Sequence, residues 1–242
     1  MRVTDLPDAS YFETRECQRS DKVSRRKSPA AHAGLMAEIT SIFWDVGGVI
    51  LSNGWDTGER AAAIRRFALD AEDFEQRHKA EFATLEMGKI TLDTYLDRTV
   101  FYCPRPFSMT EFTDFMFSQS TEKAETRVLL DALASNRRYL MATLNNEAAE
   151  LNAYRIRTFK LTRNFTAFFS SCYLGKRKPS EEIYSLVLGI TQRAPEECIF
   201  IDDRIENLEA PKRLGMRTIQ FVNAGQLREE LASRGVVVAA GA

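Results

Sequence analysis

The chain is poor in the features that mark membrane, secreted and polyanion-binding proteins. None of its apolar runs is long enough to span a bilayer. The first 34 residues hold no apolar core of the signal-peptide type and are polar and mixed in charge. Cysteine is scarce and scattered. Cys17, Cys103, Cys172 and Cys198 form no CxxC pair, a spacing that suits reduced thiols better than a disulfide framework or a zinc site. An excess of either charge is missing too, with 33 Lys and Arg against 34 Asp and Glu. A field so close to neutral argues against nucleic acid as a partner. Together these absences predict a cytoplasmic protein without membrane contact.

What the chain does have is apolar mass. Hydrophobic residues make up 44% of its 242 positions, enough for one good core with a smaller attached domain. Residues 1–36 carry no sustained apolar period and are expected to be a disordered tail. Beyond them, β-prone runs at 39–44, 139–144, 167–170, 198–201 and 217–222 alternate with helical patterns at 122–134, 147–159, 180–188 and 207–214. That alternation predicts an α/β fold, a doubly wound parallel sheet with a Rossmann-type core. One connection breaks the rhythm. About 70 residues separate Leu51 from Glu122, far beyond an ordinary strand-to-helix link. Helical patterns at 59–70, 73–82, 91–101 and 110–118 fill it. The expected division is a core of 37–52 and 121–242 with a small α-helical cap at 53–120, inserted after the first strand.

Four strand-to-helix junctions carry polar residues suited to chemistry, in the region where doubly wound sheets bind ligands. Asp45 follows the first strand and precedes Gly47 and Gly48, which permit a tight turn and close approach to a ligand. An Asp that merely opens a turn is the plainer alternative. Asp202 and Asp203 end another strand, and adjacent carboxylates are costly to hold together without a cation. If the two strands are neighbours, Asp45 and Asp203 face one oxygen-rich pocket of the kind that suits Mg²⁺; a helix N-cap is the competing role for the pair. Lys178 lies in a basic loop, Gly175-Lys-Arg-Lys-Pro179, with Pro179 placed to open the next helix. A cation there can hold a phosphate or shield a carboxylate pair. Thr143 and Asn145 end a further strand and offer donors for phosphate oxygens, with simple capping by Asn146 as the alternative.

In this order (acid, polar strand end, lysine, paired acids) the chain resembles the haloacid dehalogenase-like (HAD) hydrolases over residues 39 to 223. Phe43-Trp-Asp45-Val-Gly-Gly-Val-Ile50 looks like the first motif of that superfamily, and a helical insertion just after it is the mark of cap type 1. Arg177-Lys-Pro179 and Asp202-Asp-Arg-Ile-Glu-Asn207 look most like the sugar-phosphate phosphatase branch, with the α-glucose-1-phosphate phosphatases and the phosphatase domain of soluble epoxide hydrolase. The resemblance implies a Mg²⁺-dependent phosphatase of small phosphorylated metabolites. Asp45 would be the nucleophile, forming an aspartyl-phosphate. Asp45, the carbonyl of Gly47 and Asp203 would hold the metal, with Asp202 ligating directly or from behind. Lys178, Thr143 and Asn145 would bind the phosphate.

Two positions depart from the family pattern. Gly47 stands where most members carry a second Asp, the acid–base group, so reduced activity is expected. Alignment on Asn145 puts Leu144 where Ser or Thr is usual, with Thr143 one place early; on an extended strand that shift turns a side chain to the opposite face. Either the strand end is distorted, or Asn145 and backbone amides bind the phosphate. Two other readings stay open: a degenerate, non-catalytic member that binds phosphometabolites or a partner, and a metal-free 2-haloacid dehalogenase.

Overall fold

The computed structural model describes residues 37–238, so the tail expected at 1–36 lies outside the described residues. Five parallel strands form one sheet in the order β3-β2-β1-β4-β5: β1 (Ser41–Trp44), β2 (Leu140–Asn145), β3 (Ala167–Ser170), β4 (Cys198–Asp202) and β5 (Arg217–Gln220). Every residue of β1 is buried, as expected of a central parallel strand covered on both faces. The chain leaves β1 toward β2 and β3, then returns to β1's other side with β4. The strand order therefore reverses between β1 and β4, where the crevice of a doubly wound sheet opens.

Side-chain alternation sorts the sheet into two apolar layers. Ile42, Trp44, Met141, Ile199 and Ile201 meet α5 (Ala124–Ser135) and α10 (Ala224–Ser233). Phe43, Ala142, Leu144 and Phe200 meet α8 (Glu181–Thr191) on the other face. Between β1 and α5 the long connection folds as four helices: α1 (Thr57–Phe67), α2 (Ala71–Glu86), α3 (Leu92–Thr99) and α4 (Met109–Ser118). Asp56 and Ser108 close capping boxes at α1 and α4, which fixes where those helices begin. Trp55, Phe74, Tyr95 and Phe112 form a core for this insertion, with Phe101, Phe107, Phe115 and Phe117 packed against it. Ala148 and Leu151, from the start of α6 (Ala149–Thr158), belong to the same cluster and seat the insertion on the sheet's helices. A second anchor lies at the end of α2. Gly88 has a left-handed φ of +67°, and a Cβ there would stand 2.0 Å from the Cys172 carbonyl of α7 (Ser171–Leu174).

Two local expectations are corrected. Pro179 does not open α8; Ser180 caps it by accepting from the Glu182 amide, so Lys178 lies before the cap. α2 runs to Glu86, beyond the expected end at 82, because Leu85 continues its buried stripe. Among the described residues no helix is long and apolar enough to cross a membrane.

Candidate active site

Asp45 leaves β1 with its amide still bonded to the Ile201 carbonyl of β4, at 2.8 Å, so the two strand ends emerge side by side. Lys178 Nζ lies between the acids they carry, 3.0 Å from Asp45 Oδ1 and 2.6 Å from Asp202 Oδ2. The lysine is buried, and its loop is pinned by Asn146: the Asn146 amide donates to the Lys178 carbonyl, and the Lys178 N–H donates to Asn146 Oδ1, both at 2.9 Å. Asp202 is fully enclosed by donors. Besides Lys178 it accepts from the Arg204 N–H at 2.9 Å and from Asn207 Nδ2 at 3.0 and 3.1 Å.

Asp203 contrasts with its neighbour. Its Oδ1 is buried without any hydrogen-bond partner, an arrangement that costs free energy unless something else satisfies it. Ligand atoms of Asp45, Asp202 and Asp203 all lie within 4.8 Å of one another. Gly48 makes the gathering possible: its φ is +72°, and a Cβ there would come within 2.1 Å of Asp203 Oδ2. An orphaned oxygen beside two further carboxylates is a donor set that fits a hard divalent cation. With its needs already met by protein, Asp202 suits a supporting place behind such a cation.

Charge follows from burial. Desolvation, helped by Asp202 and Asp203 and opposed by Lys178, pushes the Asp45 carboxyl up to about 7. Burial works against the charge on Lys178, but Asp45 and Asp202 overcome it and hold its pKa above the usual value.

Asp45 and Lys178 open onto a cavity of about 110 Å³. Asp45, Gly47, Lys178 and Asn207 line its sheet side, and Asn53, Trp55, Asp56, Phe82 and Glu86 close it from the insertion. Arg204 spans the two by an ion pair with Asp56. Thr143 and Asn145 are not brought into this cavity; Asn146 and Glu147 line it instead. The reason is strand parity. β2 is undistorted and pairs Trp44 with Thr143, so Leu144 follows beside Asp45 on the same face. Leu144 is completely buried in the α8-side layer. Asn145 turns the other way, donating to Asn152 of α6 at 3.2 Å, and Thr143 shares that face. Sequence reasoning assigned no role to Asp56, Glu86, Glu147, Arg177 and Arg204. The two arginines adjoin Lys178 and Asp203 and were open to detection by position; Glu86 had no local signal.

Comparison with known proteins bears on the family and the fold. A family model described as haloacid dehalogenase-like hydrolase matches residues 39–215. Flavin mononucleotide hydrolase 1 of Arabidopsis thaliana is 31% identical over 164 residues, covering 68% of this chain and 66% of its own length. D-ribitol-5-phosphate phosphatase of Bacteroides thetaiotaomicron is 26% identical over 210 residues, 80% of this chain and 97% of that protein. In fold, the chain is similar to a HAD family enzyme of B. thetaiotaomicron solved with magnesium and inorganic phosphate: TM-score 0.66, 22% identity, 77% of this chain and 96% of that one. The family match spans β1, the helical insertion and the paired acids alike, and on that breadth the chain belongs to the haloacid dehalogenase-like hydrolases.

Proposed function

We propose that the protein is a Mg²⁺-dependent phosphatase of small phosphorylated metabolites, working through an aspartyl-phosphate on Asp45. The observation that carries this reading is the orphaned, buried Oδ1 of Asp203 next to Asp45, which asks for a cation at the point where a phosphate would meet the nucleophile. Asp45, Asp203 and the Gly47 carbonyl would hold Mg²⁺, with Asp202 behind them. When bound, the metal offsets repulsion between carboxylate and phosphate. Asp45 attacks phosphorus in line, the alcohol departs, and water cleaves the acyl phosphate. Lys178 neutralises charge on the transferring group and keeps Asp45 and Asp202 apart. We assign phosphate contacts to Lys178, Arg177 and the amides around Asn146, in place of Thr143 and Asn145. Helices 53–120 act as the cap that selects the leaving group.

One observation favours the degenerate, binding-only reading: Leu144, with no polar group, stands where a hydroxyl would face the phosphate. Dehalogenation fits less well, since three clustered carboxylates repel a haloacid. The test is phosphate release from ribitol 5-phosphate, FMN and sugar phosphates with and without Mg²⁺, beside Asp45→Asn. Metal-dependent release lost in the variant supports the phosphatase. Metal-independent halide release from a 2-haloacid contradicts it, as does tight phosphate binding without turnover.

A further inference from the structure

Position 47 leaves the proposed reaction without a group to protonate the departing alcohol. We propose that Glu86, reaching in from the helical insertion, is the acid–base group of this site; the inference rests on the phosphatase reading above.

Four carboxyl residues line the cavity: Asp45, Asp56, Glu86 and Glu147. Asp45 is the nucleophile. Asp56 is committed to the cap of α1 and to Arg204. Glu147 has both oxygens engaged, one accepting from the Ala148 amide at 3.1 Å and the other paired with Arg155 at 3.0 Å. Glu86 differs from all three. It is 94% buried by its 6% exposure; Arg177 holds its Oε2 in an ion pair, while no hydrogen bond from the described residues reaches its other oxygen.

Its placement suits the task. In-line attack by Asp45 drives the leaving oxygen away from the sheet, toward the insertion side where Glu86 and Phe82 stand. The side chain is also held still. Glu86 ends α2 two residues before Gly88, whose contact with the Cys172 carbonyl fixes that helix end on the core. Burial raises its carboxyl above the usual value against the pull of Arg177.

The steps balance. An Asp45 oxygen bonds to phosphorus as the bond to the leaving oxygen breaks, and that oxygen takes the electron pair and the Glu86 proton. Glu86, now a carboxylate, takes a proton from water as the water oxygen bonds to phosphorus. The electron pair of the acyl-phosphate bond returns to Asp45, and Glu86 ends protonated.

The test compares kcat/KM for alkyl phosphates and aryl phosphates, which differ in how much their leaving group needs a proton. The wild type is expected to show little dependence on leaving-group acidity. Glu86→Gln should lower the alkyl series by about a hundredfold or more and the aryl series by under about tenfold. Adding Gly47→Asp to Glu86→Gln should restore the alkyl series preferentially. Space exists for it, since the atoms nearest a Cβ at Gly47 belong to Asn53 and stand 3.5–3.6 Å away. Equal losses on both series, or wild-type rates that climb steeply with leaving-group acidity, overturn the assignment of Glu86. Should Glu86→Gln not fold, Glu86→Asp is measured in its place, with the alkyl series again expected to fall more than the aryl series; equal losses overturn the assignment. Wild-type protein that releases phosphate from neither series overturns the phosphatase reading, and this inference with it.

Discussion

The two walls of the cavity are built on different principles. On the sheet side, Lys178, Asp202, Asn207 and Asn146 form a closed network in which nearly every buried polar atom has a partner. On the insertion side, Glu86 is buried and reaches across to the core loop, where Arg177 pairs with its Oε2. A saturated network fixes geometry, and so the sheet wall sets the chemistry. Beside that network Asp203 Oδ1 is left open for a cation, while the insertion wall closes the cavity where the leaving group would lie.

Disturbing the sheet wall should have the largest effects. Asp45→Asn is expected to lower metal-dependent phosphate release by about ten-thousandfold or more, measured at saturating substrate. Lys178→Met leaves Asp45 and Asp202 buried together with no cation between them. Breaking a buried pair in this way costs about 3–5 kcal/mol, so chemical denaturation should show a lower midpoint, and turnover should fall with it. An unchanged midpoint would mean that the network is not closed as described.

The sheet wall was also the more legible of the two in the sequence. Strand ends announce themselves by apolar runs that stop at an acid, and Asp45, Asp202 and Asp203 were found in that way; Lys178 was read from its basic loop before a helix. Face was harder. Thr143 and Asn145 are polar residues at a strand end, but one step of register decides whether they meet the cavity or α6, and only the pairing with Trp44 fixes that step. Glu86 was invisible because its importance comes from Gly88 docking on Cys172, a contact between segments far apart in the chain. Helix α10 was missed for want of a strong stripe; Leu227 and Leu231 are its only buried residues.

Smaller changes sharpen the contrast between the walls. Gly48→Ala forces a Cβ against Asp203, and displacing a group of this kind should raise the Mg²⁺ concentration for half-maximal activity by about ten- to hundredfold. Equal metal dependence in variant and wild type would remove Asp203 from the metal site. Leu144→Thr returns a hydroxyl to the strand position beside Asp45. One added hydrogen bond should raise kcat/KM by about tenfold, with a lower Tm because Leu144 is fully buried. The smallest effect is one of pH. Burial, aided by Glu86 and opposed by Arg155, pushes the Glu147 carboxyl up to about 7 from an ordinary 4.5. Between those values the unfolded chain has released its proton while the folded one retains it, so this carboxyl's contribution to stability declines as pH rises through the window. The Tm of Glu147→Gln relative to wild type should therefore climb from about pH 4.5 to about 7 and then level off. A flat difference would place Glu147 in contact with solvent.

The central claim is that Asp45 carries the phosphoryl group. Its most direct test is acid quench of a single turnover, with enzyme in excess over a ³²P-labelled substrate and Mg²⁺ present. Protein-bound label is expected to rise and decay as phosphate appears, located on the peptide containing Asp45 and absent from Asp45→Asn. Phosphate released at the full rate with no label passing through that peptide would contradict it.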